Sequence, residues 1–248
     1  MGIVVSVTSG KGGTGKTTLT GGTSACLALM GHKTLCIDCD VGLKNLDLVL
    51  GMTDISLMNF EDVLSGRTSL DDGAVRHPEI ENLYFLTAPT SLAPENIDRE
   101  LMKELLFRVR DEFEFCIIDG PAGVGPGFRL ACENADMAII VANGDSMSLR
   151  NGQRTTSELE KLGVTNVRLV LNRVRKLLLR QINANADDMI DTVGAQLLGI
   201  IPEDQRIMKA GCLEKPVALL ENKRVREPFM RIARRLTGER VLLSRRFR

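Results

Sequence analysis

The sequence predicts an α/β fold in which a mostly parallel central sheet is covered by helices on both faces. Short apolar runs alternate with longer amphipathic ones along the 248 residues, the rhythm of repeated strand–helix–strand units. Acidic residues and glycines gather where the apolar runs end, which is where an open sheet of this kind builds its ligand crevice. The chain is 44% hydrophobic with one Tyr and no Trp, so aliphatic side chains and Met have to fill the core.

Taken in order, strands are expected over residues 3–8, 33–38, 83–88, 115–119, 137–142, 167–172 and 197–201, each a run too short and too apolar for a surface helix. Helices are expected over 17–30, 99–113, 148–162 and 227–236, where apolar residues recur at helical spacing, and in most remaining gaps. Residues 70–81 are weakly patterned and read as loop or short helix. There is no repeat, linker or low-complexity stretch, so residues 1–238 are expected to form one domain, followed by a short basic tail over 239–248.

The first strand runs into Gly10-Lys11-Gly12-Gly13-Thr14-Gly15-Lys16-Thr17-Thr18. Gly10, four residues, then Gly15-Lys16-Thr17 have the spacing of a phosphate-binding loop. The glycines let backbone N–H groups wrap a β-phosphate, Lys16 neutralises the β/γ oxygens, and the Thr17 hydroxyl is offered to Mg²⁺. A helix leaving the loop adds its positive amino end to the same anion. The fold class is therefore that of a P-loop NTPase. Asp119 closes Phe115-Cys116-Ile117-Ile118, the Walker B form that holds Mg²⁺ through water. Asp38 and Asp40 follow the second strand, and one of them can orient the attacking water beside the metal; Asp40 is expected to be that residue.

Other patterns exclude functions. No apolar run reaches the length of about 20 residues that crosses a bilayer, and the amino terminus enters strand and loop without a cleavable apolar region, so a cytoplasmic protein is expected. Cys26, Cys36, Cys39, Cys116, Cys132 and Cys212 fall mostly in apolar patterns, as expected of small buried residues in a reducing compartment. Cys36 and Cys39 lie three apart at a strand end and point to opposite faces, against a shared metal. Net charge is zero but unevenly placed: ten Lys/Arg and two Asp/Glu lie between Lys223 and Arg248, leaving 22 and 30 for the rest. Such a run is either a solvated helix face or a contact for an anionic surface, membrane or nucleic acid.

Lys11 is not needed to cradle phosphates that Lys16 already holds. With it, Lys-Gly-Gly-Thr-Gly-Lys-Thr-Thr resembles the deviant Walker A of the ParA/MinD ATPases, a resemblance that covers most of the chain. It implies ATP and ADP as ligands with Mg²⁺, and an ATP-dependent homodimer in which Lys11 reaches the partner's nucleotide. The run from Asp38 to Asp47 and Asp119-Gly120-Pro121-Ala122-Gly123 are similar to the two switches of the septum-site-determining MinD branch. Leu171-Asn172-Arg173 and Pro202-Glu203-Asp204 resemble its adenine-side segments, which implies that Asn172 meets the adenine edge and that the loop from Pro202 closes over the ring. The nucleotide set is then residues Gly10 to Thr18 with Asn172, Arg173, Pro202, Glu203 and Asp204; the catalytic set is Lys11, Lys16 and Asp40; the metal set is Thr17, Asp40 and Asp119.

The chain departs from the family pattern at Val124-Gly125-Pro126-Gly127, at Asn143-Gly144-Asp145-Ser146 and at Asn151, where an Asp is usual. Val241, Leu242, Leu243 and Phe247 would spread around a helical wheel, a poor interfacial helix for a monomer. The resemblance implies an ATPase that places the division site, meets an activator or inhibitor of division, and joins an anionic membrane through its tail when ATP-bound. A ParA-like partition ATPase that binds DNA and a nucleotide-gated scaffold are the alternatives. An iron–sulfur carrier is disfavoured, because no carboxy-terminal C-x-x-C is present.

Overall fold

The computed structural model describes residues 1–41, 44–53, 55, 58–90, 92–175, 177 and 185–244. Eight strands form one sheet: β1 (Ile3–Ser9), β2 (Thr34–Asp38), β3 (Val75–Arg76), β4 (Leu83–Leu86), β5 (Phe115–Ala122), β6 (Met137–Asn143), β7 (Val167–Val174) and β8 (Gln196–Pro202). They stand in the order β3-β4-β2-β5-β1-β6-β7-β8. Every neighbouring pair is parallel except β3 with β4. All seven expected strands are present, and β3 adds a two-residue edge within the weakly patterned 70–81 stretch.

Side chains along the central strands alternate between two cores. Val4, Cys116, Ile118, Ala138 and Ile140 pack on one face, whereas Val5, Phe115, Ile117, Ile139 and Val141 pack on the other. This two-sided burial is why the strands read as continuous apolar runs. Cys36 and Cys39 do fall in opposite cores, and burial pushes the Cys36 thiol up to about 12. Five cysteines are buried and Cys212 is exposed.

The helices are α1 (Lys16–Leu29), α2 (Leu46–Leu50), α3 (Phe60–Leu64), α4 (Leu70–Gly73), α5 (Arg99–Glu112), α6 (Pro126–Cys132), α7 (Ser146–Lys161), α8 (Ala186–Val193), α9 (Gln205–Cys212) and α10 (Lys223–Leu236). The last begins a turn earlier than the expected residue 227, because the Asn222 side chain accepts from the Arg224 N–H and caps it. Pro228 lies inside α10 and removes one helical hydrogen bond, but Val225, Phe229, Ile232 and Leu236 bury a continuous stripe that outweighs it. Phe229 packs so close to α1 that a Cβ on Gly22 would lie 2.6 Å from its ring.

The expected domain end at 238 does not end contact with the domain. Beyond Gly238 the chain turns back along α10, where Arg231 donates to the Leu242 carbonyl at 2.7 Å and Arg235 to the Val241 carbonyl at 2.6 and 3.1 Å. The expected tail residues 245–248 lie outside the described residues.

Candidate nucleotide site

The register of the sheet sets the site. Asp119 on β5 stands opposite Asp38 on β2 and Val7 on β1, so both carboxylates reach the carboxyl edge beside the loop that leaves β1. That loop turns through Gly13 and Gly15 at φ +77° and +95°, a conformation L side chains rarely adopt. Its first glycine also touches α7: a Cβ on Gly10 would sit 2.6 Å from the Asn151 carbonyl oxygen. No side chain caps the amino end of α1 among the described residues, and its first turn holds no acid, which leaves the N–H groups for an anion.

Lys16 is buried at the start of α1. Burial holds its pKa below the usual lysine value, against the pull of Asp119 and Asp40. Asp119 is 1% exposed and accepts from the Thr20 hydroxyl at 3.0 Å. Burial first, then Asp38, push it up to about 7, against the Thr17 and Thr20 hydroxyls and Lys16. The sequence reading missed Thr20, although it lies one turn from Thr17 on the same helix face.

Asp38 and Asp40 differ in their surroundings. Asp38 accepts from the backbone N–H groups of Asp40, Asn45 and Leu46 at 2.9, 3.3 and 3.3 Å, folding the switch back on the strand and capping α2 from a distance. Burial still pushes it up to about 6. Asp40 is only half-buried; burial raises its pKa and Lys16 lowers it, so the carboxylate stands near Lys16.

The donor set fits Mg²⁺. Two buried carboxylates raised toward protonation mark a site short of positive charge, and the hydroxyls of Thr17 and Thr20 stand against Asp119. Among the described residues no three His, Cys, Asp or Glu form a closed cage. That suits an ion that keeps waters and takes further oxygens from phosphates.

A cleft of about 410 Å³ opens beside the loop, lined by Gly15 and Thr18, by Asn172 and Arg173 from β7, and by Pro202, Glu203 and Asp204. All the expected adenine-side residues thus come together. Asn172 is turned partly toward the loop, its Nδ2 donating to the Thr14 carbonyl at 2.7 Å and its Oδ1 accepting from the Arg173 N–H at 2.9 Å. Arg173 takes a left-handed φ of +53° within β7, where the register with β8 shifts. Glu203 pairs with Arg175, and Asp204 pairs with Arg206 while capping α9. The far wall is Ile207, Met208, Gly211 and Cys212 of α9, which the sequence reading did not assign. Lys11 lies apart from these groups, exposed, with its Nζ 4.0 Å from the Met147 sulfur on α7.

Residues 5–217 match the family model of the CobQ/CobB/MinD/ParA nucleotide binding domain. The septum site-determining protein MinD of Thermotoga maritima is 34% identical over all of this chain and 92% of its own length. The chain belongs to the MinD family. MinD from the MinC:MinD cell division complex of Aquifex aeolicus superimposes with a TM-score of 0.90 at 32% identity, covering 98% of each chain. Pyrococcus horikoshii MinD, solved with Mg-ADP, gives 0.83 at 30% identity over 95% of this chain and 96% of that one. The MinD family is a family of Mg²⁺-dependent ATPases that determine the septum site.

Proposed function

We propose that this MinD-family protein hydrolyses Mg-ATP as an associating pair of subunits and uses the ATP-bound dimer to mark the division site on an anionic membrane. The observation that carries the reading is the division of labour between two lysines. Lys16 is buried among Asp119 and Asp40, whereas Lys11 points outward beside exposed Met147.

Lys16 and the uncapped N–H groups of α1 hold the β/γ-phosphates. Thr17 and Asp119 would hold Mg²⁺, which when bound neutralises developing charge on the phosphate oxygens. Thr20 keeps Asp119 oriented through its hydroxyl. Asp40 orients the attacking water, and Asp38 fixes the switch that carries Asp40. Lys11 of the second subunit meets the charge between two facing triphosphates, so ATP acts as the switch for association. The MinC:MinD complex among the structural neighbours supports a division protein as the partner of that dimer.

No helix among the described residues is long and apolar enough to cross a membrane, so contact with lipid is peripheral in this reading. Each arginine near an anionic surface contributes about 1 kcal/mol. A single tail is therefore weak, and two tails on one dimer gain avidity. Light scattering with a slowly hydrolysed ATP analogue tests the core of the proposal. Lys11→Ala should keep nucleotide affinity and lose dimerisation, and a dimer of normal affinity would refute the role in trans. Vesicle sedimentation tests the membrane: ATP but not ADP should bring the chain down with anionic lipid, and deletion of residues 241–248 should prevent it. Competition by duplex DNA would favour the partition-like alternative.

A further inference from the structure

Over its described residues, 223–244, the basic run near the carboxyl end folds back on the domain. Between α10, β8 and the returning chain lies a cavity of about 250 Å³, lined by Arg224, Glu227, Arg231, Arg235, Leu243 and Ser244 among others. Among the described residues that line it are three guanidinium groups and one carboxylate. Arg231 pairs with Glu227 at 2.9 Å and donates to the Leu242 carbonyl. Arg235 donates to the carbonyls of Leu198 and Val241. The Leu198 carbonyl can be taken because β8 bulges there: Leu197 stands opposite Leu169 and Gly199 opposite Val170, which leaves Leu198 out of register.

We propose that this cavity is a binding site for a phosphate-bearing anion, and that the Val241 and Leu242 carbonyls occupy its donors until such an anion arrives. Arginine forks match phosphate oxygens two at a time, and bonds to a charged oxygen are roughly twice as strong as bonds to a neutral carbonyl. Arg231 and Arg235 lie one helical turn apart, and among the described residues their donors meet backbone carbonyls and Glu227. Burial and the neighbouring Arg231 both hold Arg235 below the usual arginine value, the strain an anion would relieve. Once an anion takes those donors, the segment from Val241 loses its hold on α10 and Leu243 leaves the cavity. The chemistry is shared by free phosphate and by a phospholipid headgroup; only the second source rests on the membrane reading above.

The test uses the full chain and follows release of the tail by tryptic cleavage after Arg240. A second readout is the labelling rate of a thiol introduced as Leu243→Cys in a Cys212→Ser background. Millimolar inorganic phosphate should speed both by about tenfold over chloride at equal ionic strength. Arg231→Gln should be fast already and indifferent to phosphate, with nucleotide affinity unchanged to show that it folds; Arg224→Gln should weaken the phosphate response without releasing the tail. Glycerophosphoglycerol, a lipid headgroup without its chains, distinguishes the sources: a stronger response to it than to phosphate assigns the site to lipid, and the reverse assigns it to free phosphate. Equal acceleration by chloride, or a phosphate response that survives in Arg231→Gln, would overturn the site. Vesicle binding with tail release unchanged would overturn it while leaving the membrane reading intact, and phosphate-driven release without vesicle binding would do the opposite.

Discussion

At the nucleotide end Lys16 is buried between carboxylates, whereas at the β8 edge Arg235 is half-buried among backbone carbonyls. The two regions have opposite deficits. Around Lys16, Asp38 and Asp119 are pushed up to about 6 and about 7, so that end lacks positive charge and suits a divalent cation with its nucleotide. Around Arg235, among the described residues, backbone carbonyl dipoles rather than carboxylates take its donors, where an anion would bind more strongly. The lesson is that a cation's buried partners, rather than its sign, decide what it can recruit.

The largest effect that could break this comparison is at Lys16. Lys16→Ala should weaken ATP binding by about 10³-fold, read by titration calorimetry, because no other buried cation faces the loop among the described residues. Normal affinity would mean that the loop amides alone hold the phosphates. Next, Asp40→Ala should cut turnover by about 10²-fold with ATP affinity kept, trapping the ATP-bound dimer. Equal loss of affinity and rate would make Asp40 a binding residue instead.

Smaller effects sharpen the contrast at the other edge. A Cβ on Gly199 would lie 2.4 Å from Ile232, so Gly199→Ala should push α10 off β8 and cost about 2 kcal/mol in urea unfolding, with nucleotide affinity nearly unchanged. The smallest concerns His77, whose Nε2 lies 2.8 Å from the Leu50 carbonyl at the end of α2 and whose Nδ1 accepts from Glu79 and Ile80. Burial lowers its pKa from 6.5, against the Leu50 hydrogen bond and Glu79. The unfolded chain then takes up a proton below 6.5 that the folded chain refuses, so this contribution is present above 6.5 and lost as pH falls. His77→Gln should cost about 1 kcal/mol at pH ~7 and flatten the decline toward pH ~5, measured by unfolding midpoints.

The phosphate loop was legible because its glycines, lysine and hydroxyl must be contiguous to wrap one phosphate. Asp119 and Asp40 stood out for a related reason: Asp119 closes the apolar run of β5 and Asp40 follows two residues after β2, and such positions converge on one edge of a parallel sheet. The short helices α2, α3 and α6 were not, since five to seven residues give too little period to read. Nor was the α9 wall of the cleft, because Met208 and Cys212 face a cavity that exists only once β7 and β8 are paired.

By itself, then, the sequence determined the seven longer strands, the phosphate-type loop and the acids near the strand ends, all of which are local patterns read over a few residues. Tertiary structure alone decided which polar groups share a cavity. Thr20 found Asp119 across 99 residues, Asn172 found the Thr14 carbonyl across 158, and Arg235 found a carbonyl freed by a bulge in β8. Those pairings depend on sheet register and helix packing, which bring distant residues within hydrogen-bond reach, and the charge balance of each cavity follows from that placement.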